Sequence, residues 1–273
     1  MAAGSGANCG AIQEDRGAAA VQFAFIATRY FHHHSLSYEE RKKILSGVAV
    51  KNQHNGMLTP KADLRREITV EQAMNAPAVT WLLGLFDSCG VSDGSAAAIV
   101  TTPEIAKGLK KDHILVKAMG LSYGAFQGVQ QGSYDFVHIE ENVTAAQMAY
   151  KEAGIKSPRQ EIDLTEVHDC FSITEVVTCE DLGFCARGKY REEQEAGMFE
   201  LTGDLHVNTD GGLKWFGHHI GATGLRIDYE VCRQLQGKAG PRQLKKADID
   251  LTHNLGENSG GRMTSAVAIF GRA

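Results

Sequence analysis

Apolar residues change their spacing several times along the chain, and each change marks an expected element. Over residues 15–34, Ala18, Val21, Phe25 and Ile26 recur at helical spacing with Phe23 off that face, so a helix is expected with those four turned inward. Ser37-Tyr38-Glu39-Glu40 reads as a capping box, in which the serine and the glutamate three residues on satisfy the free amides of a helix start. It opens a second helix with Ile44, Leu45 and Val48 on its inner side. Residues 53–68 turn polar and lose periodicity, as a covering excursion does, and Thr69 to Gln72 offers another cap. Ala96–Val100 is an unbroken apolar run, the pattern of a short buried strand, and Thr102-Pro103 then heads a brief helix.

Further on, the pattern predicts a strand at 113–121 and a helix at 143–153, with Val143, Ala146, Met148 and Ala149 inward and Gly154 as its stop. A strand at 162–167, a helix at 171–182 ending at Gly183 and an irregular strand-bearing stretch at 197–207 follow. A long helix at 222–236 and strands at 249–254 and 263–270 close the chain. This order gives an α/β fold, a mixed sheet covered by helices. The first 14 residues, rich in Ala and Gly, carry no period.

Composition narrows the function classes. The chain has 273 residues, 43% hydrophobic and 22% charged, as soluble globular proteins do. A net charge of −5 without a dense Lys/Arg tract gives no general pull toward nucleic acid. No charged leader precedes an apolar segment and no apolar run approaches about 18 residues, so neither export nor a membrane span is expected. Six irregularly spaced cysteines fit a reducing compartment rather than a disulfide framework, and the cytoplasm is the expected location. Gly271-Arg272-Ala273 is not a peroxisomal address. His32, His33 and His34 point in three directions on a helix, and Cys179 and Cys185 are not a C-x-x-C pair, so no metal site is expected.

Three stretches place histidines where strands are expected to end, which is where α/β folds put their chemistry. In Glu166-Val167-His168-Asp169-Cys170-Phe171, a helix start beside His168 favours the thiolate of Cys170 over the thiols of Cys179 and Cys232. The alternative is that Asp169 or Ser172 caps the helix while Cys170 packs as a small apolar residue. In Gly211-Gly212 through Gly217-His218-His219-Ile220-Gly221-Ala222-Thr223-Gly224, glycines let backbone approach a ligand, and His218 stands ready to orient a group or take a proton. Without G-x-G-x-x-G this is not a dinucleotide fingerprint. His253-Asn254-Leu255-Gly256 is read as a strand end, with Gly260-Gly261 leading to the last strand. Gly217, Gly221 and Gly256 are the candidates for ligand approach.

These motifs, with Glu180-Asp181-Leu182-Gly183-Phe184-Cys185, Asn208-Thr209-Asp210-Gly211-Gly212-Leu213 and Arg233-Gln234-Leu235-Gln236-Gly237-Lys238-Ala239-Gly240, resemble thiolases of the sterol carrier protein type. The resemblance runs from about residue 22 to the end and is most specific over 162–260. It implies a thiolase-like layered fold with an incomplete N-terminal half. Residues 1–112 would hold a remnant of the N-terminal domain with a loop-domain insertion, returning at Asp93-Gly94-Ser95-Ala96-Ala97, and residues 113–273 the C-terminal domain. The implied activity is acyl transfer on acyl-CoA in lipid metabolism, Claisen condensation or thiolytic cleavage of a 3-oxoacyl-CoA, with the thioester as substrate and no tightly bound cofactor. His218 would activate a nucleophilic cysteine and help form an oxyanion hole, His168 would polarise the second thioester oxygen, and Cys170 would shuttle the proton. His253 and Asn254 would line the site. The family's nucleophile, a Cys before a Ser- and Gly-rich helix start, has no counterpart, since Cys9 and Cys89 lie in other contexts. The implied assembly is therefore a homo- or hetero-oligomer, with another chain or the missing N-terminal half supplying that cysteine. The competing expectations are a thiolase-like aldolase working on a β-hydroxyacyl-CoA with a small OB-fold zinc protein, and a non-catalytic CoA-binding subunit.

Overall fold

The computed structural model describes residues 18–125, 134–258 and 262–273. Its centre is a five-stranded mixed sheet built from β1 (Ile114–Tyr123), β2 (Leu164–Glu166), β3 (His206–Val207), β4 (Ile249–Asn258) and β5 (Arg262–Arg272), in the order β1-β5-β4-β2-β3. β1, β5 and β4 pair antiparallel, while β2 pairs parallel with both β4 and β3. The chemistry-bearing loop that follows β2 thus leaves the same end of the sheet as the later part of β4.

Helices cover both faces. α1 (Ala18–His33), α2 (Tyr38–Met57), α3 (Val70–Met74) and α4 (Pro103–Leu109) precede the sheet. α5 (Glu140–Ala153), α6 (Pro158–Glu161), α7 (Ser172–Asp181), α8 (Tyr190–Glu195), α9 (Gly212–Phe216) and α10 (Thr223–Leu235) follow. α5 lies over β1 and β5, and α10 over β2 and β4. Every residue of α7 is buried, because α1, α2, α5 and α8 surround it. The main core joins Phe23, Phe31, Leu45, Ala145, Ile173, Val177, Leu251 and Ile269, and a smaller one under α10 joins Leu164, Val231, Leu235 and Phe270.

Several expectations are corrected. In α1 the inner face is Ala20, Phe23, Ala24, Ala27, Tyr30 and Phe31, while Phe25 is 67% exposed, so the helix is rotated from the expected facing. Phe23 is drawn in by packing against Phe171, with the rings tilted 30° and their centroids 4.9 Å apart. α2 runs on to Met57 through residues expected to be irregular, because its buried Asn52 and Asn55 hydrogen-bond Asp169 and Asn208 in the loops of the site. α5 begins at Glu140 and turns Asn142, Ala145, Ala146 and Ala149 inward, leaving Met148 49% exposed. Ala96–Val100 forms no strand and is exposed, with Ile99 at 89% and Val100 at 84%: an apolar run becomes a strand only where a neighbouring edge accepts its hydrogen bonds, and none stands beside this one among the described residues. β4 and β5 also extend further than expected, forming a hairpin paired as far as Asn258 and Arg262.

Candidate active site

β2 ends at Glu166, and the chain crosses to α7 through Val167-His168-Asp169-Cys170-Phe171. Phe171 is the N-cap of α7 without a side-chain cap, so neither Asp169 nor Ser172 plays the capping part. Ser172 Oγ donates to Asp87 Oδ1 at 3.2 Å, and Asp169 ties this loop to the next. Its carboxylate accepts from Leu213 N at 2.6 Å and Asn52 Nδ2 at 2.8 Å, and lies 3.4 Å from the buried Lys214 ammonium. Gly212, at φ +62°, has no space for a side chain: a Cβ there would stand 2.4 Å from Asp169 Oδ2.

The two loops bring His168 and His218 together. Their rings are perpendicular, with centroids 5.2 Å apart. Thr223 Oγ1 donates to His219 O at 3.1 Å and lies 3.0 Å from His218 Nδ1, so His218 carries its proton on Nδ1 and leaves Nε2 as a lone pair. His168 Nδ1 lies 2.8 Å from Asn254 Oδ1. With that oxygen facing the ring, Nδ1 is the donor and Nε2 a proton acceptor. Turning the amide end for end keeps the bond and moves the proton to Nε2, the form that polarises a carbonyl. Burial pushes His168 down to about 4, helped by Arg226, and pushes His218 down to about 3, helped by His168 and Arg226. Both imidazoles are neutral near pH 7.

His253 and Asn254 are separated by the strand that carries them, since successive side chains of β4 point to opposite faces. Asn254 faces His168. His253 faces α5, where its Nε2 donates to Asn142 Oδ1 at 2.8 Å and its Nδ1 accepts from His168 N at 3.4 Å. Both ring nitrogens are therefore used within the protein, and burial holds His253 at about 3. The motif lies inside β4 rather than at its end; Gly256 pairs with Thr264, and Gly260-Gly261 lies outside the described residues. Of the three glycine candidates only Gly217 is constrained, at φ +117° with its virtual Cβ 2.3 Å from Asp63 Oδ2; the Cβ position of Gly221 is open.

Cys170 Sγ sits 3.6 Å from Thr174 Oγ1, one helical turn on, and the residue is 7% exposed. A strap at residues 88–92, invisible as a site element in the sequence, runs between the two histidine loops. Cys89 N donates to Cys170 O at 2.9 Å, His218 N to Gly90 O at 3.2 Å and Ser92 N to His218 O at 3.2 Å. Burial, with the carboxylate of Asp169 nearby, pushes the Cys89 thiol up to about 12.

Beneath the site lies a buried charge network. The Arg226 guanidinium bonds Asp210, lies 3.8 Å from Glu166 Oε2 and stacks 4.7 Å from the Phe216 ring, while Arg242 pairs with Glu230 at 2.7 Å. Three carboxyl groups face two guanidinium groups, and burial, with the Asp210 carboxylate nearby, pushes Glu166 above the usual carboxylate range. Sequence reasoning missed Thr223, Asn142, Asn52 and Asp169 as supports; only Thr223 and Asp169 lie within the motifs it singled out. Among the described residues no three His, Cys, Asp or Glu side chains gather as a metal site, and no helix is long and apolar enough to cross a membrane.

Residues 130–272 match the family of thiolase C-terminal domain-like proteins, and the chain belongs to it. It is 39% identical over 250 residues to the acetyl-CoA acetyltransferase of Methanothermobacter thermautotrophicus, covering 92% of this chain and 62% of the relative. It is 31% identical over 226 residues to sterol carrier protein 2 of Oryctolagus cuniculus, covering 82% and 41% respectively. The chain thus spans less than two thirds of these relatives. Among solved structures, the Ltp2-ChsH2(DUF35) aldolase shares the fold at a TM-score of 0.79 and 24% identity, over 93% of this chain and 63% of that one. A monomeric SCP2-thiolase like protein type 1 from Mycobacterium smegmatis shares it at 0.65 and 14%, over 92% and 51%.

Proposed function

We propose that this chain supplies the proton-transfer and oxyanion-stabilising half of a thiolase-type acyl-CoA acyltransferase, acting on a 3-oxoacyl-CoA or forming one by Claisen condensation. The observation that carries this reading is the perpendicular pair His168 and His218, each neutral and each held at Nδ1 by one partner. In this scheme Cys170 removes or returns the proton α to the thioester carbonyl, and its place just before α7 gives the thiolate the free amides of a helix start. His218 receives at Nε2 the proton of the attacking thiol, and the imidazolium then formed steadies the oxyanion. His168, with the Asn254 amide turned to donate, polarises the second thioester oxygen. Ping-pong acyl transfer also needs a covalent carrier, and the raised Cys89 thiol is a poor one. The nucleophile is assigned to a further segment or chain, as the longer relatives allow.

A second reading is an aldolase that cleaves a β-hydroxyacyl-CoA, with a small OB-fold zinc protein as partner. It is favoured by the same lack of an acyl carrier in the described site, since retro-aldol cleavage needs only acid/base and oxyanion groups. The structural neighbour described as an aldolase agrees with it. The test is α-carbon exchange of propionyl-CoA in deuterium oxide, followed by NMR. Exchange that the chain accelerates, and that is lost in Cys170→Ala and His218→Ala, supports both readings, and adduct-free cleavage of a β-hydroxyacyl-CoA selects the second. No acceleration by the folded chain, alone or with its partner, removes both.

A further inference from the structure

A line of buried polar groups runs from the turn after α7 to the backbone of His168. The Arg187 guanidinium, on a side chain 43% exposed, pairs with Oδ1 of the fully buried Asp181 at the end of α7. Asp181 Oδ2 accepts from Ile139 N at 3.0 Å and from Asn142 Nδ2 at 3.1 Å. Asn142 Nδ2 also donates to Thr178 Oγ1 at 3.3 Å. A guanidinium only donates and a carboxylate only accepts, so the direction of every bond is set from the outer end. Asn142 turns its amide nitrogen to Asp181 and its oxygen to His253 Nε2, 2.8 Å away. His253 then carries its proton on Nε2 and offers Nδ1 to His168 N at 3.4 Å. The next residue of β4, Asn254, holds the His168 ring at Nδ1. Two consecutive residues on opposite faces of one strand thus fix the backbone and the ring of the same histidine.

We propose that Arg187 and Asp181 are positioning residues for His168, acting through Asn142 and His253 to fix the backbone from which its ring reaches the site. The relay joins α7, α5, β4 and the loop after β2, elements that meet only in the fold. A buried network in which each polar atom has its partner rigidifies what it holds. Without the outer charge, nothing prescribes which way the Asn142 amide points, and a reversed amide faces His253 Nε2 with a donor. His253 then moves its proton to Nδ1, where it opposes the His168 N–H and the bond between them is lost. Burial raises Asp181 to about 7, with Arg187 opposing, so the carboxylate is the form present at pH 8. The relay stands on the hydrogen-bond geometry. Its consequence for α-carbon exchange rests on the proposed function.

The test compares Arg187→Gln, Arg187→Lys and Asp181→Asn in the whole chain, with any partner it needs, at pH 8. Hydrogen exchange of the His168 amide is followed by NMR on protein labelled with nitrogen-15 histidine. Arg187→Gln and Asp181→Asn are expected to speed it about tenfold, while the His253 amide, inside the β4–β5 pairing, keeps its own rate. Arg187→Lys, which keeps a donor cation, restores the protection. The maximal rate of propionyl-CoA α-carbon exchange is expected to fall about tenfold in the first two variants, with the half-saturating concentration unchanged. The double variant falls no further than the worse single one, because both residues act along one path. Unchanged protection of the His168 amide, or losses that multiply in the double variant, overturns the positioning role. A faster amide with α-carbon exchange unchanged overturns the consequence and the part assigned to His168, while the relay stands.

Discussion

The imidazoles of His168 and His218 stand at right angles with centroids 5.2 Å apart, though the two residues come from different loops and are 50 positions apart in sequence. Each ring is held at Nδ1 by a single neutral partner, Asn254 for one and Thr223 for the other. Nε2 of each makes no hydrogen bond to the described residues, so these two nitrogens are what the site offers a substrate.

His218→Ala is expected to cut α-carbon exchange, and turnover in the active assembly, by about 10² or more, with circular dichroism and melting temperature little changed. Near-wild-type turnover in the variant would remove His218 from the mechanism.

Thr223 acts through His218. Thr223→Val keeps the shape but deletes the hydroxyl that receives the Nδ1 proton, so the ring loses its fixed tautomer and exchange falls by about tenfold. Thr223→Ser restores it. Nitrogen-15 shifts of the His218 ring report the tautomer directly, and an unchanged Nδ1–H signature in Thr223→Val would contradict this account.

The three buried imidazoles set an acid limb on stability. Their folded values of about 4, 3 and 3 lie below the ordinary 6.5, so the unfolded chain takes protons that the folded chain refuses as pH falls below about 6.5. Stability is full above that value and each ring removes up to about 1.4 kcal/mol per pH unit below it. Asp181, raised by burial from 3.8 to about 7, opposes this: its contribution is present at low pH and lost as pH rises toward 7. Denaturant unfolding of His253→Gln at a series of pH values should show a slope shallower by about 1.4 kcal/mol per unit between about pH 6 and pH 4, whatever the change in its intercept. An identical slope would mean that His253 is charged in the fold.

Two glycine substitutions separate backbone demand from motif membership. Gly212→Ala meets both a left-handed φ and the Asp169 carboxylate, and is expected to destabilise by about 2 kcal/mol or more. Gly221→Ala enters open space without a left-handed φ and should stay within about 0.5 kcal/mol. Equal unfolding midpoints for the two would contradict the geometry.

The order of elements from β1 to β5 was legible because each has its own period and its own stop, such as Gly154 in the left-handed conformation at the end of α5. What failed were features decided by distant partners. Phe25 and Phe23 fit a helix face equally well, and only Phe171 chooses between them. The Ala96–Val100 run has a strand's composition and no edge to join among the described residues. His253-Asn254 reads as one motif, yet the pleat sends its two side chains to opposite faces. Asn52, Asn142 and the strap at Cys89 carry no local signature, since their parts depend on segments up to 128 positions away.

The central claim is that this chain moves protons for a thioester without carrying the acyl group. Its direct test is incubation with isotopically heavy acetyl-CoA, a rapid acid quench and mass spectrometry of the intact chain. The account predicts an unmodified mass while α-carbon exchange proceeds. A stoichiometric acetyl adduct on Cys89, or on Cys9 outside the described residues, appearing together with turnover by the chain alone, would contradict it.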